Sequence, residues 1–417
     1  MYYCLVIETD SMPRLQHLTP HLSALLKTLC PHGATFETCR HRYGAAARDL
    51  AASGVGRITV SRVGDADAYW SPTQEVLDEA MRLGWVAKAP TPSARKYLDE
   101  YRHRVYTLTP AGLEAAARVD DPVAFTDMVT AAVLDAHATM RSMLRLLKQA
   151  PLVMPEVSES LLDEATKAGS SPTLWLAEWA AERINAGPTG PVVTADEVQA
   201  EVAQWRTKRF GTGTAETPAR KTMVDMIDDA FASIALKARG LPIGPIAFRV
   251  AAGWGSSLRL LDQSRYVPAF EGTNVIWLAC DLADSPDDQA VIPDPAHQPA
   301  QRQLSISRRG MPTYGHLTAE SIIAAYRHQV AGMSMATPYL PLHVVRAAAT
   351  YNAGVTRALG DMAIEALAAH RWPDLGVDVF LHTGAGVVPA SEPVYQRGGG
   401  RRTALSIQAS SNDAGSP

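Results

Sequence analysis

Apolar residues recur along this chain at two spacings, and the order in which the spacings alternate predicts its elements. Val76, Leu77, Ala80, Met81 and Leu83 fall on one face of a 3.6-residue helix. Ser71, Pro72 and Gln74 supply a cap, a first-position proline and a capping-box spacing. Gly84 offers a left-handed stop. Trp85 to Lys88 then alternates as a short strand does. Pro90 and Pro92 close that strand, and Val105–Leu108 is a return strand rich in β-formers. Thr109 caps a further helix with Pro110 at its first position. The stretch predicts helix, strand, long polar loop, strand, helix.

Similar patterns recur elsewhere. Leu15–Leu29 and Tyr43–Ala52 predict amphipathic helices, and Met1–Ile7 and Arg57–Val63 predict strands. Phe125–Lys148 reads as one long helix, broken by Pro151 and Pro155. In the middle, helices are expected from Ser171 to Ile184, from a capping box at Thr194 and Glu197 to Trp205, and after Thr217. Ile246–Val250 and Asn274–Cys280 read as strands. Residues 281–316 are rich in Pro, Asp and Gln, as in a linker or large surface loop. After it come three helices (Ala319–Val330, Pro341–Tyr351, Thr356–Ala369) and two strands (Val377–Leu381, Thr403–Ile407) joined by a loop ending in RGGGRR. The tail from Ala409 is small and polar, as disordered segments are.

The expected class is therefore α+β and predominantly helical. Two or three units of one helix–strand order would be joined by helical connectors and a Pro/Asp-rich linker. Their expected bounds are 1–119, a connector at 120–168, 169–282, a linker at 283–316, 317–408 and a tail at 409–417.

LGWV, a polar loop and then YTLTPAG resemble the wing region of MarR- and PadR-type winged-helix proteins. The resemblance covers about fifty residues and implies a winged helix-turn-helix. It makes Ser71–Leu83 the recognition helix and Thr91–His103 the wing. The chain departs from that pattern in two ways: the wing loop is long, and the presumed recognition helix carries Glu75, Asp78 and Glu79.

Composition narrows the function classes. At 417 residues with 47% hydrophobic and 20% charged residues, the chain has the make-up of a multi-domain globular protein. A net charge of −4 means that nucleic-acid contact would depend on local basic patches. Those patches are arginine-rich, and no lysine follows Lys237. Four scattered cysteines fit a reducing cytoplasm. No leader or membrane-length apolar run is evident.

Three basic groups are the candidate phosphate contacts. Arg95, Lys96, Arg102 and Arg104 lie in or beside the first wing. Arg206, Lys208, Arg209, Arg220 and Lys221 flank GTGTA. Arg397, Arg401 and Arg402 surround Gly398–Gly400, where glycine lets a backbone approach phosphate closely. Thr73, Gln74 and Arg82 are the candidate base-edge contacts on the recognition helix. Cys30, His32, Cys39 and His41 could form a zinc set, but their spacing favours buried thiols and surface histidines, so no metal or cofactor is expected. There is no phosphate loop, H-E-x-x-H or G-x-S-x-G motif to name a reaction.

The leading expectation is a non-catalytic protein that binds double-stranded DNA with modest sequence specificity, as a monomer or an oligomer. The alternative is an interaction subunit in a bacterial genome-maintenance or phage-defence complex. It would dock on a helicase, nuclease or condensin-like motor through its acidic helix.

Overall fold

The structure, a computed structural model, describes residues 18–29, 32–52, 70–89, 104–168, 171–187, 190–211, 219–241, 243–283, 305–331, 333, 338–383, 395–397 and 400–410. The side chains of 50–52, 70–72, 395–397, 400 and 401 are not described. Among the described residues, fourteen α-helices and thirteen short strands form a predominantly helical α+β architecture with small antiparallel sheets. The expected strands at 1–7 and 57–63 lie outside the described residues. The chain divides into two compact units.

Unit one holds the described residues through Met143 together with Ile246–Leu258. It opens with α1 (Leu18–Leu29), β1 (Ala34–Thr35), α2 (Phe36–Ala52) and α3 (Trp70–Arg82), followed by β2 (Val86–Lys88), β3 (Val105–Leu108) and α4 (Pro110–Arg118). The three strands form one antiparallel sheet in the order β1-β3-β2. Leu18, Leu22, Leu25, Leu26 and Leu29 give α1 a fully buried face. The same core takes Phe36 and Tyr43 from α2 and Val76, Leu77 and Ala80 from α3. Each buried aliphatic or aromatic side chain of this kind stabilises by roughly 1.5–3 kcal/mol.

The TPAG segment has a specific local cause. Thr109 Oγ1 accepts from the Gly112 amide at 3.0 Å, capping α4, and donates to the Gly84 carbonyl at 2.7 Å. The Thr109 amide donates to the Trp85 carbonyl at 3.0 Å. A Cβ on Gly112 would stand 1.9 Å from that same carbonyl oxygen, so only glycine lets α4 lie against the start of β2. Gly84 itself takes φ +73°, the left-handed turn expected of it.

The expected single helix at 125–148 is two helices, α5 (Pro122–Ala136) and α6 (Ala138–Gln149). His137 breaks it by adopting an extended backbone, φ −114° and ψ 103°. Its ring is fully buried, and Nε2 lies 2.6 Å from Glu79 Oε1 on α3. The fully buried Trp254 packs edge-on against it with ring centroids 5.3 Å apart. A helix-long apolar stripe conceals such a break, because each half keeps the 3.6 period.

Unit two holds Leu144–Pro245, Arg259–Ala283 and the described residues from Ser305 onward. In chain order it contributes β4 (Leu152–Pro155) and four helices, α7 (Glu159–Lys167), α8 (Pro172–Asn185), α9 (Ala195–Phe210) and α10 (Arg220–Ala238). The next helix, α11 (Pro245–Ser257), replaces the strand expected at 246–250 and belongs mostly to unit one. Val, Ile and Phe suggested β structure there, but Ala247, Ala251 and Ala252 continue a helical run.

Strands β5 (Leu261–Ser264) and β6 (Thr273–Leu278) then join β4 in the order β4-β6-β5. After them β7 (Cys280–Ala283) pairs antiparallel with β8 (Ser305–Arg308). The expected linker at 283–316 is therefore shorter, since it contains β8 and the first turns of α12 (Met311–Val330). Residues 284–304 lie outside the described residues. Helix α12 starts eight residues earlier than its apolar period suggested, because Gly310 and Pro312 open it before the stripe begins.

The chain continues with β9 (Leu340–Pro341), α13 (Leu342–Ala353), α14 (Arg357–Ala368), β10 (Val377–His382), β11 (Tyr395–Arg397), β12 (Gly400–Arg402) and β13 (Ala404–Ala409). Here too the first strand in sequence is joined to the last, in the order β10-β13-β9. Ile322, Ile323, Tyr326, Val345, Ile364 and Leu405 anchor its core. Strand β13 carries order through Ala409, and the Ser410 amide bonds to Gly376 O at 2.9 Å. Residues 411–417 lie outside the described residues.

Within unit two the β4-β6-β5 sheet is tied to the C-terminal helices by buried polar contacts. Trp277 Nε1 donates to Val355 O at 2.9 Å. Asp262, on β5, accepts from Arg357 Nε at 3.0 Å. Burial pushes the Asp262 carboxyl up, and the Arg357 guanidinium opposes that rise.

Candidate nucleic-acid interface

The helix expected to read bases, α3, turns a mixed surface outward. Thr73 is fully buried, which corrects its assignment as a base contact. Thr73, Val76, Leu77 and Ala80 follow the i, i+3, i+4, i+7 series, so the threonine belongs to the core face. Gln74 is half-buried and Arg82 is exposed at the last turn. Glu79 is also internal, at 1% exposure, and engages His137. Of the three acidic residues, only Glu75 and Asp78 reach the surface. Burial raises the Asp78 carboxyl, while Lys88, Arg82 and Arg104 pull it back. Arg82 and Arg104 thus share the field of a carboxylate, and Arg104 is itself half-buried. Arg95, Lys96 and Arg102 lie outside the described residues.

The middle basic group sits on helices. Arg206, Lys208 and Arg209 occupy the last two turns of α9, and Lys221 lies in the first turn of α10. Lys208 Nζ stands 4.9 Å from the Trp205 ring centroid, over its face. Arg209 lies 3.8 Å from Asp229, and Arg220 contacts Asp163 at 2.5 Å. Arg206 and Lys221 are exposed and, among the described residues, have no ionic partner. The intervening residues 212–218 lie outside the described residues.

The C-terminal group is carried by a ribbon. β11 and β12 pair antiparallel, with Arg397 opposite Gly400, Gln396 opposite Arg401 and Tyr395 opposite Arg402. The ribbon occupies the connection between β10 and β13, the two longest strands of its sheet. At its base, Thr403 N donates to His382 O at 3.0 Å and Leu342 N donates to Thr403 O at 2.9 Å. These bonds fix the backbone of the ribbon to the helical layer.

Two further residues at the base were missed in the sequence. Tyr339 is 55% exposed and packs edge-on against His382, ring centroids 4.2 Å apart. His382 Nε2 lies 3.3 Å from Ser406 Oγ. Tyr339 thus presents an exposed aromatic face at the base of the ribbon. Tyr339 precedes a two-residue strand and has no periodic neighbours, so pattern alone gave it no signal.

Cys39 and His41 of the cysteine–histidine set sit in different surroundings. Cys39 is fully buried, and burial pushes its thiol up to about 12, away from the thiolate a metal needs. His41 lies 3.1 Å from Glu37. Cys30 lies outside the described residues. Among the described residues no group of three or more His, Cys, Asp or Glu side chains is placed to hold a metal, and no helix is long and apolar enough to cross a membrane.

No protein-family model matches the chain, and no curated protein or solved structure matches it either.

Proposed function

We propose that the chain is a tandem winged-helix protein that binds duplex DNA mainly through its phosphates, with the β11–β12 ribbon as the principal contact. One observation carries this reading. Helix, short strand, helix, helix and two strands occur in that order at both ends of the chain, and both sheets run first–third–second. That order is the one expected of a winged helix-turn-helix, in which the connection between the second and third strands would be the wing. In the C-terminal unit that wing is a paired ribbon holding Arg397, Arg401 and Arg402. The middle sheet, β4-β6-β5, repeats the strand order with helices α7–α10 inserted after its first strand.

Arginine forks contact phosphate without regard to base, so binding is salt-dependent and only modestly specific. Arg401→Ala with Arg402→Ala weakens binding of unrelated duplexes alike and lowers the slope of log K against log salt by about 2. Anisotropy titration of one labelled duplex across a salt series tests it; unchanged affinity and slope would refute it.

A second reading, docking on a protein partner, is favoured by the outward faces of the two helices at the reader position. Helix α3 shows Glu75 and Asp78, and α14 shows Ala358, Glu365 and Met362, which is 51% exposed. Carboxylates there repel phosphate. Glu75→Lys with Asp78→Lys keeps the fold and improves duplex affinity if α3 faces DNA. If α3 is a protein dock, the substitution instead removes a co-purifying partner and leaves duplex affinity unchanged.

A further inference from the structure

Helices α7–α10 line an open cleft of about 830 Å³. Its volume lies within the range of small-molecule sites, roughly 300–1,000 Å³. The apolar lining comes from Leu162, Leu176, Val202, Met223, Met226 and Ile227. Leucine and methionine are flexible and adapt to a chain-like occupant. Among the described residues none of the lining side chains is aromatic, so a planar ring would find no stacking partner there.

The polar groups sit to one side and their charges are unequal. Arg220 is already committed: its Nη2 lies 2.5 Å from Asp163 and donates to the Glu159 carbonyl at 2.6 Å. Its Nε also lies 3.9 Å from the Glu159 carboxylate, so its charge is taken up within this group. Arg206 also lines the cleft and, among the described residues, has neither an ion pair nor a hydrogen bond. Ser171, at the start of α8, makes no side-chain cap to its own helix and lines the same space. The site thus combines an apolar wall with one uncompensated cation and a spare hydroxyl.

We propose that this cleft binds a fatty-acid-type monoanion, its alkyl chain among the leucines and methionines and its carboxylate on Arg206. Covering the apolar wall of such a cleft removes it from water and favours an alkyl occupant. A carboxylate pairs with a guanidinium through charge-assisted hydrogen bonds, whereas an alkyl cation would face Arg206 with the same sign. The inference does not rest on the ribbon, to which none of these side chains belongs, although Arg206 is also one of the candidate phosphate contacts.

Isothermal titration calorimetry of the full chain with decanoate, decanol, decyltrimethylammonium and benzoate tests it. Decanoate is expected to bind at one site, more tightly than the other three. Arg206→Ala, at an exposed position, weakens decanoate by about tenfold and leaves decanol unchanged. Ala203→Trp, which places a ring in the cleft from an exposed position on α9, abolishes both; circular dichroism confirms that each variant is folded. No decanoate binding, equal binding of decyltrimethylammonium or benzoate, or decanoate binding indifferent to both substitutions would overturn the proposal.

Discussion

Buried polar side chains decide more of this molecule than its exposed charges do. Glu79 and His137 meet at 2.6 Å with 1% and 0% side-chain exposure, joining α3 to the break between α5 and α6. Glu79 Oε2 and His137 Nδ1 are buried with no hydrogen-bond partner, so the one contact carries the whole pair. Removing one member of such a pair strands the other. His137→Ala is expected to destabilise the protein by about 3–5 kcal/mol. Glu79→Gln, which keeps a neutral hydrogen bond to the ring, costs less. Urea denaturation ranks the two, and a His137→Ala variant as stable as the parent would show that the pair contributes nothing.

The same residues mark where the sequence was and was not legible. The apolar face of α3 was plain from its period, but Thr73 and Glu79 fall on that face too. A threonine or glutamate at a core position looks like a surface residue until its partner is known. The partner of Glu79 lies 58 positions away, and no local pattern links them.

At the level of elements, recurring order was readable because capping residues and glycines mark ends independently of packing. Thr109, Thr194 and Thr356 each cap the helix expected to follow them. The two-residue strands β1 and β9 escaped notice since they are too short to show alternation. Sheet order also had to come from the structure, because strand pairing is a long-range property.

One tie between elements has a defined pH dependence. His316 on α12 lies 2.9 Å from Asp374, in the 3-10 turn Pro373–Leu375. The hydrogen bond to Asp374 holds the imidazole above its usual range, and the same bond holds the carboxyl of Asp374 below its own. The raised histidine contributes fully below about pH 6.5 and loses its contribution as pH rises through its folded value. The lowered aspartate contributes above about pH 4 and loses its contribution as pH falls through its folded value. Their tie therefore stabilises most between these limits. Both groups are exposed, so the effect is small. The difference in melting temperature between the parent and Asp374→Asn should be greatest near about pH 5.5 and vanish by about pH 9. A difference that is constant across this range would contradict the assignment.

For the whole molecule, net charge and local charge point different ways. A formal −4 gives no general attraction to nucleic acid. On the proposed reading, phosphate affinity is concentrated in a few local segments, and the ribbon between β10 and β13 is one with its backbone fixed by a paired register. Helices α3 and α14 present carboxylates and an exposed methionine, so on the proposed reading sequence discrimination would be weak and affinity ionic in origin.

The most direct measurement is the salt dependence of duplex affinity for the intact protein and for Arg401→Ala with Arg402→Ala. Binding through the ribbon predicts a steep negative slope for the parent, a slope shallower by about 2 for the variant, and the same change on duplexes of unrelated sequence. A parent that does not bind duplex DNA at low salt, or a variant with the parent's slope, would contradict it.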